Sequence, residues 1–283
     1  MIVLRTKAEL RKWRLGLPAG TTVGFVPTMG ALHEGHLSLV HQSRARCSVT
    51  IASIFVNPLQ FGPNEDLAKY PRPFERDRGL LEKAGCDALY NPDVADLYIP
   101  DASTYVVEEK VSQPMCGEFR PGHFRGVATV VLKLFNRVQP DVAFFGQKDA
   151  QQCAVLERMV RDLDVPVTMV RGETVREADG LAMSSRNVYL SKENRACATQ
   201  IYKSLQAARA AYDRGERRGA ELARIGRETL SQVSDFKIQY WEARHPSSLE
   251  LVETVGSEGV LFAVAAYLGT TRLIDNLRIG GNL

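Results

Sequence analysis

A chain of 283 residues, 45% hydrophobic and 24% charged, has the composition of a globular protein and too little net charge to stay disordered. Its 36 basic and 33 acidic residues leave a formal charge of +3. That balance excludes nucleic acid or a membrane surface as the main partner, though a local basic pocket for a small anion stays open.

Thr22 to Val26 is β-branched and apolar and stops at Pro27, which predicts a buried strand. A turn at Thr28-Met29-Gly30 follows. Gly35 to Arg46 has helical spacing, with Leu37, Leu39 and Val40 inward. Val49 to Val56 is a second strand, ended by Asn57-Pro58. Gln60 to Pro73 is a long polar stretch with Gly62, Pro63, Pro71 and Pro73, of the length usual for functional loops. A helix over Phe74 to Ala84 and a short strand over Ala88 to Tyr90 come next. Gly126 to Arg137 reads as a strong helix, Val142 to Phe145 as a strand, Ala150 to Asp162 as a helix and Val165 to Val170 as a strand. Such alternation implies a parallel sheet with helices on both faces.

The pattern changes after Gly180. Helices are expected over Lys192 to Tyr212 and Gly219 to Val233, then strands over Lys237 to Ala243, Val260 to Tyr267 and Thr271 to Leu277. This is the order of an α+β unit, so a domain boundary is expected between residues 177 and 178. Five cysteines, at positions 47, 86, 116, 153 and 197, form no CxxC pair. Neither a disulfide framework nor a zinc site is expected, and reduced thiols suit a cytoplasmic protein. The basic N-terminus lacks the apolar stretch of a secretory signal. The richest apolar run, Val260 to Leu268, is half the ~18 residues of a membrane span.

Four clusters carry chemistry. Pro27-Thr28-Met29-Gly30-Ala31-Leu32-His33-Glu34-Gly35-His36 joins the first predicted strand to the first helix, where open α/β sheets bind ligands. A helix N-terminus suits phosphate, His33 and His36 fall one turn apart, and Gly35 opens the backbone between them. Two surface histidines or a metal pair are the alternatives, and no further metal ligands stand out. At the second strand end, Asn57 and Gln60 offer amides suited to a hydroxy acid; a plain Asn-Pro turn is the alternative. In Gly146-Gln147-Lys148-Asp149-Ala150-Gln151-Gln152, Lys148 suits phosphate oxygens, and Asp149 suits either a helix cap or Mg²⁺ through water. In Met183-Ser184-Ser185-Arg186, two hydroxyls and a guanidinium make a polyphosphate clamp or a capped helix start.

HxGH at the first turn is the signature of the nucleotidylyltransferase superfamily, which is similar to class I aminoacyl-tRNA synthetases. The longer string from Pro27 to His36 resembles the pantothenate synthetase family. Resemblance extends over most of residues 21 to 190, including Arg120-Pro121-Gly122-His123-Phe124-Arg125-Gly126, and is weak beyond 195. It departs from the family pattern at Gln147, where Glu is usual, and at Met183, where some relatives have Leu.

The resemblance implies a Rossmann-like domain over 1–177 that binds nucleotide and pantoate, with 178–283 as a cap. It implies ATP-dependent joining of pantoate to β-alanine through pantoyl adenylate, with ATP as substrate, Mg²⁺ and a homodimer. By residue, it implies that His33, His36 and Lys148 carry the chemistry. Met29, Gly35, Gly146, Asp149, Val175, Met183, Ser184, Ser185 and Arg186 would join His36 and Lys148 around ATP. Gln60, Asn57 and Gln152 would hold pantoate, under a lid formed by the Pro-rich loop. His123 and Arg125 are expected to shape the pocket, with a part in catalysis left open. No Ser-His-Asp pattern is needed, since an acyl adenylate is opened by a free amine without a covalent enzyme intermediate. The rivals are a nucleotidylyltransferase for another small acid or phosphate, a tRNA-charging enzyme, and a non-catalytic nucleotide-binding module.

Overall fold

A computed structural model of the chain describes residues 1–233 and 235–281. In chain order the elements are β1 (Ile2–Leu4), α1 (Lys7–Leu15), β2 (Val23–Thr28), α2 (Glu34–Arg46), β3 (Val49–Ile54), α3 (Phe74–Lys83), β4 (Ala88–Tyr90), α4 (Val94–Leu97) and α5 (Cys116–Phe119). There follow α6 (His123–Val138), β5 (Val142–Gly146), α7 (Ala150–Asp162), β6 (Thr168–Gly172), α8 (Lys192–Ala198), α9 (Gln200–Asp213), α10 (Gly219–Ser231), β7 (Phe236–Arg244), β8 (Val260–Leu268) and β9 (Thr271–Ile279).

Six strands form one sheet in the order β1-β4-β3-β2-β5-β6, and its pairs are parallel. The chain works outward from β2 through β3 to β4, then crosses to the other side of β2 for β5. The order therefore reverses between β2 and β5, the crevice where such sheets bind ligands. Alternate side chains serve opposite faces. Phe25, Ile51, Ala143 and Phe145 pack with α1, α6 and α7, whereas Val26, Ala52, Phe144 and Leu89 pack with α2 and α3.

The expected parallel sheet with helices on both faces is present, with shifts that have local causes. β2 continues through Pro27 to Thr28. Its pairing with β5 involves only Gly24 and Phe25, so the missing proline N–H falls at what is locally an edge. β6 begins at Thr168, not Val165, because Asp164 turns with φ +48° and Pro166 follows. The helix expected over Lys192 to Tyr212 breaks at Thr199, whose hydroxyl donates to the Ala196 carbonyl (3.1 Å) and competes with the helical ladder. β1 and α1 were not anticipated, although Thr6 and Glu9 form a capping box that a reading for that motif would find.

The second sheet is antiparallel, in the order β7-β8-β9. β8 explains its own unbroken apolar run, because both of its faces are buried. Leu261, Ala263 and Ala265 join the core beneath the parallel sheet. Val260, Phe262, Val264, Ala266 and Leu268 join a core with α9 and α10.

Gly126 decides how the second strand end meets α6. A Cβ there would lie 2.3 Å from the Leu59 carbonyl oxygen and 2.7 Å from the Gln60 nitrogen. The Asn57 amide donates to the Gly126 carbonyl at 3.1 Å, so the close approach is also a bond. Gly126→Ala is expected to destabilise the protein by about 1–3 kcal/mol through overpacking, despite alanine's better helix propensity. Urea denaturation tests this; an unchanged or raised midpoint would refute the steric account.

Candidate active site

The turn after β2 is held by a carboxylate from a distant element. Gly30 and Ala31 both have positive φ (82° and 52°), so their stretch cannot continue strand or helix. Asp77 of α3, buried, accepts the Ala31 and Leu32 N–H groups at 2.6 and 2.9 Å. The chain then enters α2 with His33 as its N-cap.

His33 and His36 build that cap reciprocally. His33 Nδ1 accepts the Gly35 N–H (3.2 Å), and His36 Nδ1 accepts the His33 N–H (3.3 Å). With both Nδ1 atoms accepting, each neutral ring carries its proton on Nε2. The rings lie 4.1 Å apart at their centroids. Gly35 serves the pair directly: a Cβ would stand 3.0 Å from the His33 ring. Burial pushes His33 down to about 4, with repulsion from Lys148 adding to it. Burial pushes His36 down to about 3, with His33 and then Lys148 contributing. Both are neutral hydrogen-bond donors at pH 7.

These histidines line a cavity of about 220 Å³ at the carboxyl ends of the strands. Every sequence-derived candidate lines it. Met29, His33, Gly35 and His36 come from the first turn, and Asn57 and Gln60 from the end of β3. Gly146, Lys148, Asp149 and Gln152 follow β5, and Val175, Met183, Ser184, Ser185 and Arg186 follow β6. Val175 and Met183 are joined by a backbone bond (Met183 N–H to the Val175 carbonyl, 3.0 Å). A second cavity of about 490 Å³ adjoins it and shares Arg120, Lys148, Asp149, Ser184 and Arg186.

Side chains within a motif take different duties. Asn57 has its amide fully engaged: it donates to Gln60 Oε1 (3.0 Å) and Gly126, and accepts from Leu59 N–H and the Tyr98 hydroxyl. It therefore orients Gln60, whose own Nε2 meets Met29 Sδ at 3.1 Å. Gln151 is spent on the backbone at Val111, Pro114 and Cys116, while Gln152 faces the cavity. Asp149 makes no cap bond to α7, and its carboxylate lies 3.9 Å from Lys148 Nζ. Ser184 caps the short helical turn Ser185–Tyr189.

At three places the structure goes beyond or departs from the sequence expectation. His123, the first residue of α6, donates from Nδ1 to the Gln60 carbonyl (2.8 Å) and accepts from Arg120 on Nε2 (3.0 Å). Burial and the adjacent Arg120 push His123 down to about 3. Arg125 instead stacks on Tyr105 (4.6 Å) in a separate groove. Third, the polar loop, expected as a lid, contains a turn at Asp66–Ala68 and is fastened across the cavity mouth. Glu65 pairs with Arg120 (2.6 Å), Asp66 pairs bidentately with Arg186 (2.9 and 3.0 Å), and the Tyr70 hydroxyl meets Ser185 Oγ at 3.1 Å.

The buried neutral histidines have a consequence for stability. Unfolded histidine titrates near 6.5, so between that pH and the folded values of about 3–4 the unfolded chain binds more protons. The stability these groups contribute is complete above pH 6.5 and is lost as pH falls toward 4, by up to about 1.4 kcal/mol per pH unit for each histidine. Urea midpoints at pH 7, 6 and 5 should fall, and more shallowly in a His33→Asn, His36→Asn variant whose side-chain oxygens can still cap. Equal slopes in the two proteins would overturn the assignment.

Comparison with known proteins identifies the family. The family profile described as pantoate-beta-alanine ligase matches residues 2–278. A pantothenate synthetase of Thermotoga neapolitana is 52% identical over 281 residues, 99% of this chain and 100% of that one. The crystal structure of a pantothenate synthetase from Thermus thermophilus superposes with a TM-score of 0.94 at 48% identity, over 99% of this chain and 100% of that chain. A pantoate-beta-alanine ligase from Francisella tularensis, crystallised with beta-gamma ATP and beta-alanine, superposes with a TM-score of 0.81 at 32% identity, over 98% and 97%. The chain belongs to the pantoate–β-alanine ligase family.

Proposed function

We propose that this protein condenses pantoate with β-alanine at the expense of ATP, releasing AMP and pyrophosphate, and that the residues lining the 220 Å³ cavity do the work. The observation that carries the reading is the convergence of four separated motifs on that one cavity, within a chain of this family. A carboxylate oxygen of pantoate attacks the α-phosphorus, and the bond to the bridging oxygen breaks as pyrophosphate leaves. The amine of β-alanine then attacks the acyl carbon, loses a proton, and expels AMP. The oxygen that attacked phosphorus stays with AMP.

The protein's contribution is positioning and charge stabilisation. His33 and His36 offer Nε2–H groups without bringing fixed charge, and Lys148 supplies the cation beside them. Ser184, Ser185 and Arg186 grip the β- and γ-phosphates as a leaving group. Arg186 is already geared for an anion, since it holds the Asp66 carboxylate in a two-pronged pair; triphosphate would take that place and release the loop. Val175, Met183, Met29, Gly35 and Gly146 form the nucleotide wall. Gln60 and Gln152 hold pantoate, with Asn57 and His123 orienting Gln60.

Asp149 and Glu173 are the carboxylates lining the cavity, a set that suits magnesium held mainly by phosphates and water. Bound there with ATP, Mg²⁺ would neutralise phosphate charge. We further propose that residues 178–283 serve as a cap over the nucleotide, because Ser184–Arg186 lie just past the boundary yet face the cavity. A homodimer and a cytoplasmic location complete the proposal. Its five cysteines are unpaired, and no helix among the described residues is long and apolar enough to cross a membrane.

Lys148→Ala is expected to lower kcat by about 10²–10³ with a much smaller change in the KM for ATP, as for loss of one donor to transition-state charge. Gln60→Ala should instead raise the KM for pantoate. A near-normal kcat in Lys148→Ala would refute its role.

The route is tested with pantoate labelled by oxygen-18 in its carboxylate, in a reaction containing ATP, Mg²⁺ and β-alanine. Mass spectrometry should find label in AMP. ADP with label in phosphate would show γ-phosphoryl transfer and overturn the adenylate route. The absence of a GxxxxGK[ST] loop from the sequence favours the first outcome.

A further inference from the structure

Lys148 stands in a short turn, Gln147–Asp149, between β5 and α7, and that turn is gripped from outside its own sheet. Asn276 of β9 is buried, and its side-chain amide donates to two successive carbonyls of the turn, Gln147 and Lys148, each at 2.9 Å. The Gln147 side chain donates back to Asn276 Oδ1 at 3.2 Å, which fixes the amide's orientation. Asn276 is itself held in place. Its N–H donates to the Asp275 carboxylate (2.8 Å), which is buried and paired with Arg176 at 2.6 and 3.0 Å. Arg176 lies over the Tyr202 ring at 3.8 Å. An amide that clamps two neighbouring carbonyls removes the freedom of the peptide between them, and that peptide carries the Lys148 side chain.

We propose that Asn276 is a positioning residue for the adenylation step, acting through Lys148. It holds the lysine's peptide so that Nζ meets the phosphates without reorganisation when charge develops. The inference rests on the reading of Lys148 given above, and it assigns a catalytic consequence to the antiparallel sheet, far away in sequence. Preorganisation of this kind appears in kcat rather than in ground-state affinity.

The test is a double-mutant cycle on the full-length protein, with kcat and the KM values for ATP and pantoate measured for Asn276→Ala, Lys148→Ala and the pair. Asn276→Ala should lower kcat by about 10-fold while both KM values change by less than about 3-fold. In the Lys148→Ala background the same substitution should lower kcat by less than about 2-fold, because the group it positions is gone. Equal losses in both backgrounds would show that Asn276 acts as general scaffolding and overturn the inference, as would an unchanged kcat in Asn276→Ala. If Lys148→Ala alone keeps a near-normal kcat, the reading of Lys148 fails and the inference falls with it; a normal loss there with additive effects sinks the inference alone. Should Asn276→Ala not fold, Gln147→Ala serves instead. It removes the bond that orients the amide, together with the one Gln147 Oε1 accepts from Arg171 at 3.3 Å, leaves the Asn276 clamp on both carbonyls, and should show a smaller fall in kcat that again vanishes without Lys148.

Discussion

The site hangs on a buried carboxylate that satisfies two backbone donors. Between β2 and α2 the chain passes through Gly30 and Ala31 with positive φ, a conformation that costs an L-residue such as alanine about 1 kcal/mol or more. Asp77 compensates by accepting the Ala31 and Leu32 N–H groups. That contact sets the angle at which His33 enters the helix cap, and through it the placement of both imidazoles. A Cβ at Gly30 would also come within 3.1 Å of the Asp77 carboxylate, so the glycine and the aspartate act as one device.

The electrostatics of the cavity divide into two kinds. The histidines are kept neutral by burial first, helped by repulsion from Lys148 on His33, from His33 and Lys148 on His36, and from Arg120 on His123. The guanidiniums of Arg120 and Arg186 are each matched by a carboxylate from the loop after β3. An anionic ligand thus meets donors that cost little to desolvate, and cations whose present partners belong to a surface segment.

Both halves of the chain contribute to this arrangement because β8 has two buried faces. One packs beneath the parallel sheet and the other under α9 and α10, so β9 is set at a fixed distance from the end of β5. Asn276 and Asp275 exploit that distance, one reaching the turn that carries Lys148 and the other the arginine that follows β6.

The sequence by itself determined the alternation of strands and helices, the α+β unit that follows, and the short strings in which the candidate residues stand. These are local properties: period, turn chemistry and residue type within a few positions. His33 and His36 were legible because they stand at the strand-to-helix turn where open α/β sheets bind ligands, in a string that resembles the family's. The tertiary structure decided everything that depends on partners distant in sequence. Only there is Gln151 seen to be spent on backbone while Gln152 faces the cavity, and only there does His123 part from Arg125. Asp77 and Asn276 carry no local signal at all, because a buried side chain's role is set by what the fold brings against it. Their partners lie 46 and about 128 residues away in sequence.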